Sequence, residues 1–231
     1  MSNFGMSNYN HNNIYGYGNF RLSVHYYRHI LKDLSSGKSI LDIGCGDGVV
    51  GTIVEDDVVY KGLDIGAGCY DEIERDDIHY IRDYDQLLSS IENQKSDISL
   101  LLNVLEHTFD FTELFEKALL NSNEYVFVAL PNEENIHLRL DFLLGKGITS
   151  HTLDMVGLHV NRRHLWLIQE KKAEEILVKV AKKHNFVLES KHRTISYPST
   201  MWKRVVYKGL TSFLPWSLKS RNFGFLFKKT H

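Results

Sequence analysis

The sequence predicts an α/β protein built on a doubly wound, mostly parallel sheet. Three observations carry this. Short apolar runs without polar alternation recur at 40–43, 58–63, 78–81, 97–102 and 125–130, and stretches of helical spacing separate them. The first run breaks into glycines at alternate positions, Gly44, Gly46 and Gly48. Acidic residues sit at or just beyond the ends of several runs, at the sheet edge where ligands of open α/β sheets bind.

Residues 1–19 are rich in Asn, Gly, Tyr and Ser, a composition expected of a flexible arm. Its tyrosines, Tyr17 among them, are more than a linker needs, so the arm is a candidate to fold over a ligand. The domain proper then spans 20–231. Its first helix, 20–35, carries Val24, Tyr27, Ile30, Leu31 and Leu34 at near-helical spacing and ends at Ser-Ser-Gly.

The first strand follows, with Asp42 two residues before Gly44. Glycine tolerates positive φ and has no Cβ, so the backbone turns sharply and a ligand can lie against it. A dinucleotide fingerprint needs a glycine at position 49, and Val49 stands there. A short apolar helix over 49–54 leads to strand two, which ends at Asp64-Ile65. A carboxylate at this place can accept both hydrogens of a ribose diol.

Strand three ends in Arg82-Asp83, and a helix over 84–91 follows. Strand four runs into Asn103-Val104-Leu105-Glu106-His107. Asp110 with Glu113 three residues on forms a capping box for the next helix. Strand five is closed by Pro131-Asn132. The stretch about 133–164 is too long for a simple connection and holds Arg139, His151, His159, Arg163 and His164, a set suited to a polar or anionic substrate. A strongly amphipathic helix covers 170–184, with Asn185 in the left-handed position after it. Strand six spans 186–195, a helix covers 200–214, and a last strand covers 223–227.

The pattern Asp42-x-Gly44-x-Gly46-x-Gly48 resembles motif I of class I S-adenosylmethionine (SAM) methyltransferases. Leu105-Glu106-His107 after strand four, and Arg163-His164-Leu-Trp before a helix, resemble small-molecule members of the ubiquinone-methyltransferase-like, type 11–12 group. The resemblance implies a Rossmann-like fold of seven strands, the last antiparallel, with a lid insertion after strand five. It implies SAM as cofactor, held by Asp42, Gly44, Cys45, Gly46, Asp64, Ile65, Arg82, Asp83, Asn103, Val104 and Glu106. Asp83 would meet the adenine amino group. His107 and His164 are the candidate catalytic bases; Tyr17, Asn132, Arg139, His159 and Arg163 are the candidate substrate contacts.

The expected activity is methyl transfer to a small molecule, sugar or glycan precursor, by in-line displacement at oxygen. The alternatives are a non-catalytic SAM-binding partner subunit and, further off, a nicotinamide-dependent oxidoreductase. A net charge of −2 gives no basic footprint for nucleic acid. Neither a transmembrane run nor a signal peptide is legible. Cys45 and Cys69 suggest no disulfide scaffold, so a reduced, cytoplasmic chain without stable membrane insertion is expected. Glu106 and His107 are ligand types, but no fuller set stands at a convincing spacing, so no metal is expected from the sequence.

Overall fold

The computed structural model describes residues 27–65, 75–146, 164–195 and 212–230, together with 151, 201, 205, 208 and 209. The expected N-terminal arm and most of the expected helix over 200–214 lie outside the described residues.

One sheet organises the chain, in the order β3-β2-β1-β4-β5-β7-β6. The strands are β1 (Ser39–Ile43), β2 (Val59–Asp64), β3 (Ile78–Tyr80), β4 (Ser96–Leu102), β5 (Ser122–Pro131), β6 (Phe186–Thr194) and β7 (Asn222–Lys229). The pairs from β3 to β5 are parallel, and β7 runs antiparallel to both β5 and β6. The order reverses between β1 and β4, which is where an open sheet of this kind leaves a crevice at its carboxyl edge.

Both faces of the central strands are buried, as their unbroken apolar runs require. Along β4, Ile98, Leu100 and Leu102 point into one core, and Leu101 into the other. The first core is covered by α1, residues 27–35, through Tyr27, Ile30 and Leu31. The second is covered by α2 (Tyr84–Glu92), α3 (Glu113–Asn121) and α5 (Glu170–Lys183), the last through Ala173, Leu177, Val180 and Ala181. Asn185 takes a φ of 61°, as its place after the helix predicts.

Two local expectations are corrected. Helix α3 starts at Glu113 rather than directly after Asp110. Asp110 Oδ1 accepts from the amides of Thr112 and Glu113, so it caps the helix from the preceding turn. Between β1 and β2 the chain makes a single 3₁₀ turn, Val49–Thr52, in place of the expected helix over 49–54, and Ile53 turns inward to the core. After β5, α4 (Ile136–Leu143) buries none of its residues and exposes Phe142 and Leu143.

Candidate functional site

The glycine loop is held open by its own conformation. Gly44, Gly46 and Gly48 take φ of 73°, 58° and 70°. An L side chain in that region costs about 1–2 kcal/mol per residue. Space is equally restrictive at Gly44, where a Cβ would lie 2.4 Å from Val104 Cγ2. The loop is suspended from the neighbouring strands. The amides of Gly44 and Cys45 donate to the Leu63 carbonyl at 2.7 and 3.2 Å. The Gly46 amide donates to Asp64 Oδ2 at 2.7 Å, and the Tyr80 hydroxyl donates to the Gly46 carbonyl at 3.2 Å. Arg75 Nη1 donates to the Gly48 carbonyl at 2.8 Å. Tyr60, Arg75 and Tyr80 were not legible as part of the loop, because their contribution comes from strand pairing rather than spacing.

Two carboxyl groups flank the loop. Asp42 is buried and accepts from the Tyr60 hydroxyl at 2.8 Å. Burial pushes its pKa up to about 7; the Tyr60 bond opposes this and the charge of Asp64 adds to it. Burial also raises Asp64, against the pull of the Gly46 amide. Two acids this close to the loop leave local negative charge that a cationic ligand would offset. The Cys45 thiol is buried and held in its neutral form by burial and by the charges of Asp42 and Asp64, so it packs and does not attack. Ile65 follows directly on Asp64 and is half-buried. Arg82 and Asp83 are exposed at the end of β3, and Asp83 Oδ1 is engaged as N-cap of α2, accepting from the Gln86 amide at 2.9 Å.

The end of β4 supplies the other wall. Asn103 turns the chain with a φ of 56°, and its buried Oδ1 has no partner among the described residues. Val104 then meets Gly44, and Leu105–His107 form one 3₁₀ turn. Glu106 is 0% exposed, and neither carboxylate oxygen has a hydrogen-bond partner among the described residues. Its pKa rises to about 7, driven by burial and partly offset by His164. The rings of His107 and His164 meet edge to face with centroids 4.9 Å apart. His164 Nδ1 bonds to Glu133 Oε1 at 2.7 Å, and His151 Nε2 bonds to the same oxygen at 3.0 Å. Glu133 Oε2 accepts from the Ile168 amide at 2.8 Å. Burial lowers the His164 pKa, but the Glu133 bond and the charges of Glu106 and Glu133 outweigh it, so the net shift is upward.

The structure thus brings together Asp42, the glycines, Asp64, Asn103, Val104, Glu106, His107 and His164. Sequence reasoning missed Glu133. The signal was present: Glu133 is an acid at the end of a strand, like Asp42, Asp64 and Glu106. Two of the expected substrate contacts have partners within the chain. Asn132 is 1% exposed and braces the chain, its Nδ2 donating to the carbonyls of Ser217 and Ser220 while its Oδ1 accepts from the Glu134 amide. Arg139 lies on the exposed α4, where its Nε donates to the Glu134 carbonyl at 2.8 Å. Tyr17, His159 and Arg163 lie outside the described residues.

Comparison with known proteins agrees with this fold. The family model described as "Methionine biosynthesis protein MetW" matches residues 25–212. No curated protein matches the chain. Among solved structures, a SAM-dependent methyltransferase from Archaeoglobus fulgidus superposes with a TM-score of 0.55 at 13% identity, over 91% of this chain and 94% of that one. A cyclopropane-fatty-acyl-phospholipid synthase-like protein from Lactobacillus casei gives 0.57 at 15% identity, over 93% and 94%. The plantazolicin methyltransferase BamL, in complex with a triazolic desmethylPZN analogue and S-adenosylhomocysteine (SAH), gives 0.55 at 13% identity, over 91% and 85%. The chain therefore has the class I SAM-dependent methyltransferase fold and belongs to the family of the methionine biosynthesis protein MetW.

Proposed function

We propose that the chain binds SAM at the glycine loop and transfers its methyl group to an oxygen of a small polar acceptor, a sugar or glycan precursor being the class that suits the site best. One observation carries this. The glycine loop with Asp42 and Asp64, and the Glu106-His107-His164 cluster, share one sheet edge and meet at the Gly44–Val104 contact.

The residues fit the cofactor. Asp42 and Asp64 are acids that a nearby ammonium and sulfonium would compensate, and only one oxygen of Asp64 is engaged by Gly46. Asn103 Oδ1, which has no partner among the described residues, offers an acceptor on the same side. SAM, when bound, supplies an electrophilic methyl group on a sulfonium. The chain's residues do the rest. The loop and Val104 would hold the methionine half of the cofactor, and burial of the site would exclude water. Glu133 holds the His164 ring by Nδ1, which leaves Nε2 to take the proton that the acceptor hydroxyl must lose. On transfer the acceptor oxygen would gain the methyl group and the cofactor would leave as SAH, its sulfur keeping the electron pair.

The family description points to a second reading. Methionine forms one half of SAM, so a protein of methionine biosynthesis can bind SAM as a signal and act through a partner subunit. Incubation with labelled SAM and panels of hydroxylated metabolites and nucleotide sugars separates the two. Turnover that falls in His164→Ala supports transfer; tight SAM binding without transfer to any acceptor supports the partner role.

A further inference from the structure

We propose that Glu106, His107 and His164 bind a divalent transition-metal ion, with Glu133 and His151 as the layer that orients His164. The ligand atoms of Glu106, His107 and His164 all lie within 4.8 Å of one another. A second set, Glu133, His151 and His164, meets the same limit and shares His164.

The hydrogen bonds decide which set holds the ion. Both oxygens of Glu133 are occupied, Oε1 by two imidazoles and Oε2 by the Ile168 amide. Glu106 is the opposite case: it is fully buried and neither oxygen has a partner among the described residues. A buried carboxylate in that state needs a cation or a proton to offset its desolvation. An ionised carboxylate only accepts hydrogen bonds, so the Glu133 bond fixes the hydrogen on Nδ1 of His164 and leaves the Nε2 lone pair for a ligand bond. A carboxylate behind a ligating imidazole is the usual outer support of a protein metal site.

The ligand segments are also held in place relative to each other. The Leu165 amide donates to the Glu106 carbonyl at 2.8 Å, and Trp166 Nε1 donates to the Thr108 carbonyl at 2.7 Å. The turn after β4 and the segment leading into α5 are therefore bonded on either side of the cluster. Two imidazoles and one carboxylate suit zinc, iron, cobalt or manganese better than magnesium or calcium, and leave positions open for further oxygen ligands. With His164 Nε2 on the ion, the ion would replace that nitrogen as the group that promotes deprotonation: an acceptor hydroxyl bound to it would be more acidic and would release its proton to water. That last role rests on the methyl-transfer reading; ion binding itself does not.

The test uses the full chain, stripped with a chelator and titrated with Mn(II), Co(II) and Zn(II), each alone. One equivalent is expected, with affinity rising from Mn(II) to Co(II) to Zn(II). Glu106→Gln and His164→Ala are expected to weaken binding by ~100-fold or more, and Glu133→Gln by about 10–100-fold, as for loss of an outer support. Thermal melts check that each variant folds. Pulsed electron paramagnetic resonance on the Mn(II)-loaded wild type, which needs no variant, is expected to show coupling to imidazole nitrogen. SAM calorimetry on the stripped protein reports the cofactor reading separately. Absence of binding by the wild type at millimolar metal, absence of nitrogen coupling, or unchanged affinity in a folded Glu106→Gln would each overturn the proposal; the last would leave a proton, not a metal ion, as the group that balances Glu106.

Discussion

The Gly46 amide donates to Asp64 Oδ2 at 2.7 Å, so the glycine loop is bonded to the carboxylate that ends β2. This one bond sets loop shape and presents the acid to the same crevice. Asp64→Ala removes both effects. It is expected to weaken SAM binding by about 10–100-fold, the size of one lost hydrogen bond to a charged group. His107→Ala is expected to leave SAM affinity near wild type and to lower turnover. Calorimetry and a labelled-SAM assay check the pair, and equal loss of affinity in both variants would contradict the division of roles.

Gly44 is excluded from substitution for two separable reasons, its φ of 73° and the 2.4 Å approach of Val104. Gly44→Ala is expected to destabilise the chain by roughly 2–4 kcal/mol, combining αL strain with overpacking. Adding Val104→Ala relieves only the clash, so the double variant should regain part of this loss but not all of it. Denaturant midpoints measure the cycle, and strict additivity would show that the two residues do not meet.

Asp42 makes stability depend on pH. Its folded pKa, about 7, lies above the unfolded value of 3.8. The folded state therefore keeps a proton that the unfolded chain has lost, and stability falls as pH rises through this window, by a total on the order of 4 kcal/mol. Among the described residues the titratable groups around Asp42 are Tyr60, Cys45, Asp64 and Arg75, of which Arg75 is cationic. Asp42→Asn keeps an acceptor for Tyr60 and removes the titration. Between pH 4 and 8, the stability of wild type minus that of Asp42→Asn should fall steadily; a flat difference would contradict the assignment.

Glu133 links three segments through its bonds to His151, His164 and Ile168. Glu133→Ala leaves the buried Ile168 amide without its acceptor and frees both rings. A loss of about 2–4 kcal/mol is expected, and Glu133→Gln should lose less because one oxygen remains to accept. Thermal unfolding of both variants tests this, and equal losses would assign the effect to packing alone.

Much of the candidate cofactor side was legible because it is local. Alternate glycines after an apolar run imply a backbone that side chains cannot follow, and Gly44, Gly46 and Gly48 all take positive φ. Asp64 was legible for the same reason, as an acid directly after a strand. What spacing cannot show is convergence. Glu133 and His164 are 31 residues apart and meet only because β5 and the segment before α5 end at one edge of the sheet. Asn132 shows the converse. A polar residue after a strand reads as a site residue, yet its amide is taken up by Ser217 and Ser220 far along the chain. Asp83 lies between these cases, since its end-of-strand position also serves to cap α2.

The edge built by Gly44–Gly48, Asp42 and Asp64 is the proposed SAM site, and isothermal titration of the full chain with SAM, SAH and NAD tests it. One site for SAM or SAH is expected, with a dissociation constant in the micromolar range, on the order of −8 kcal/mol, and no heat from NAD. Binding of NAD with no binding of SAM or SAH would contradict it.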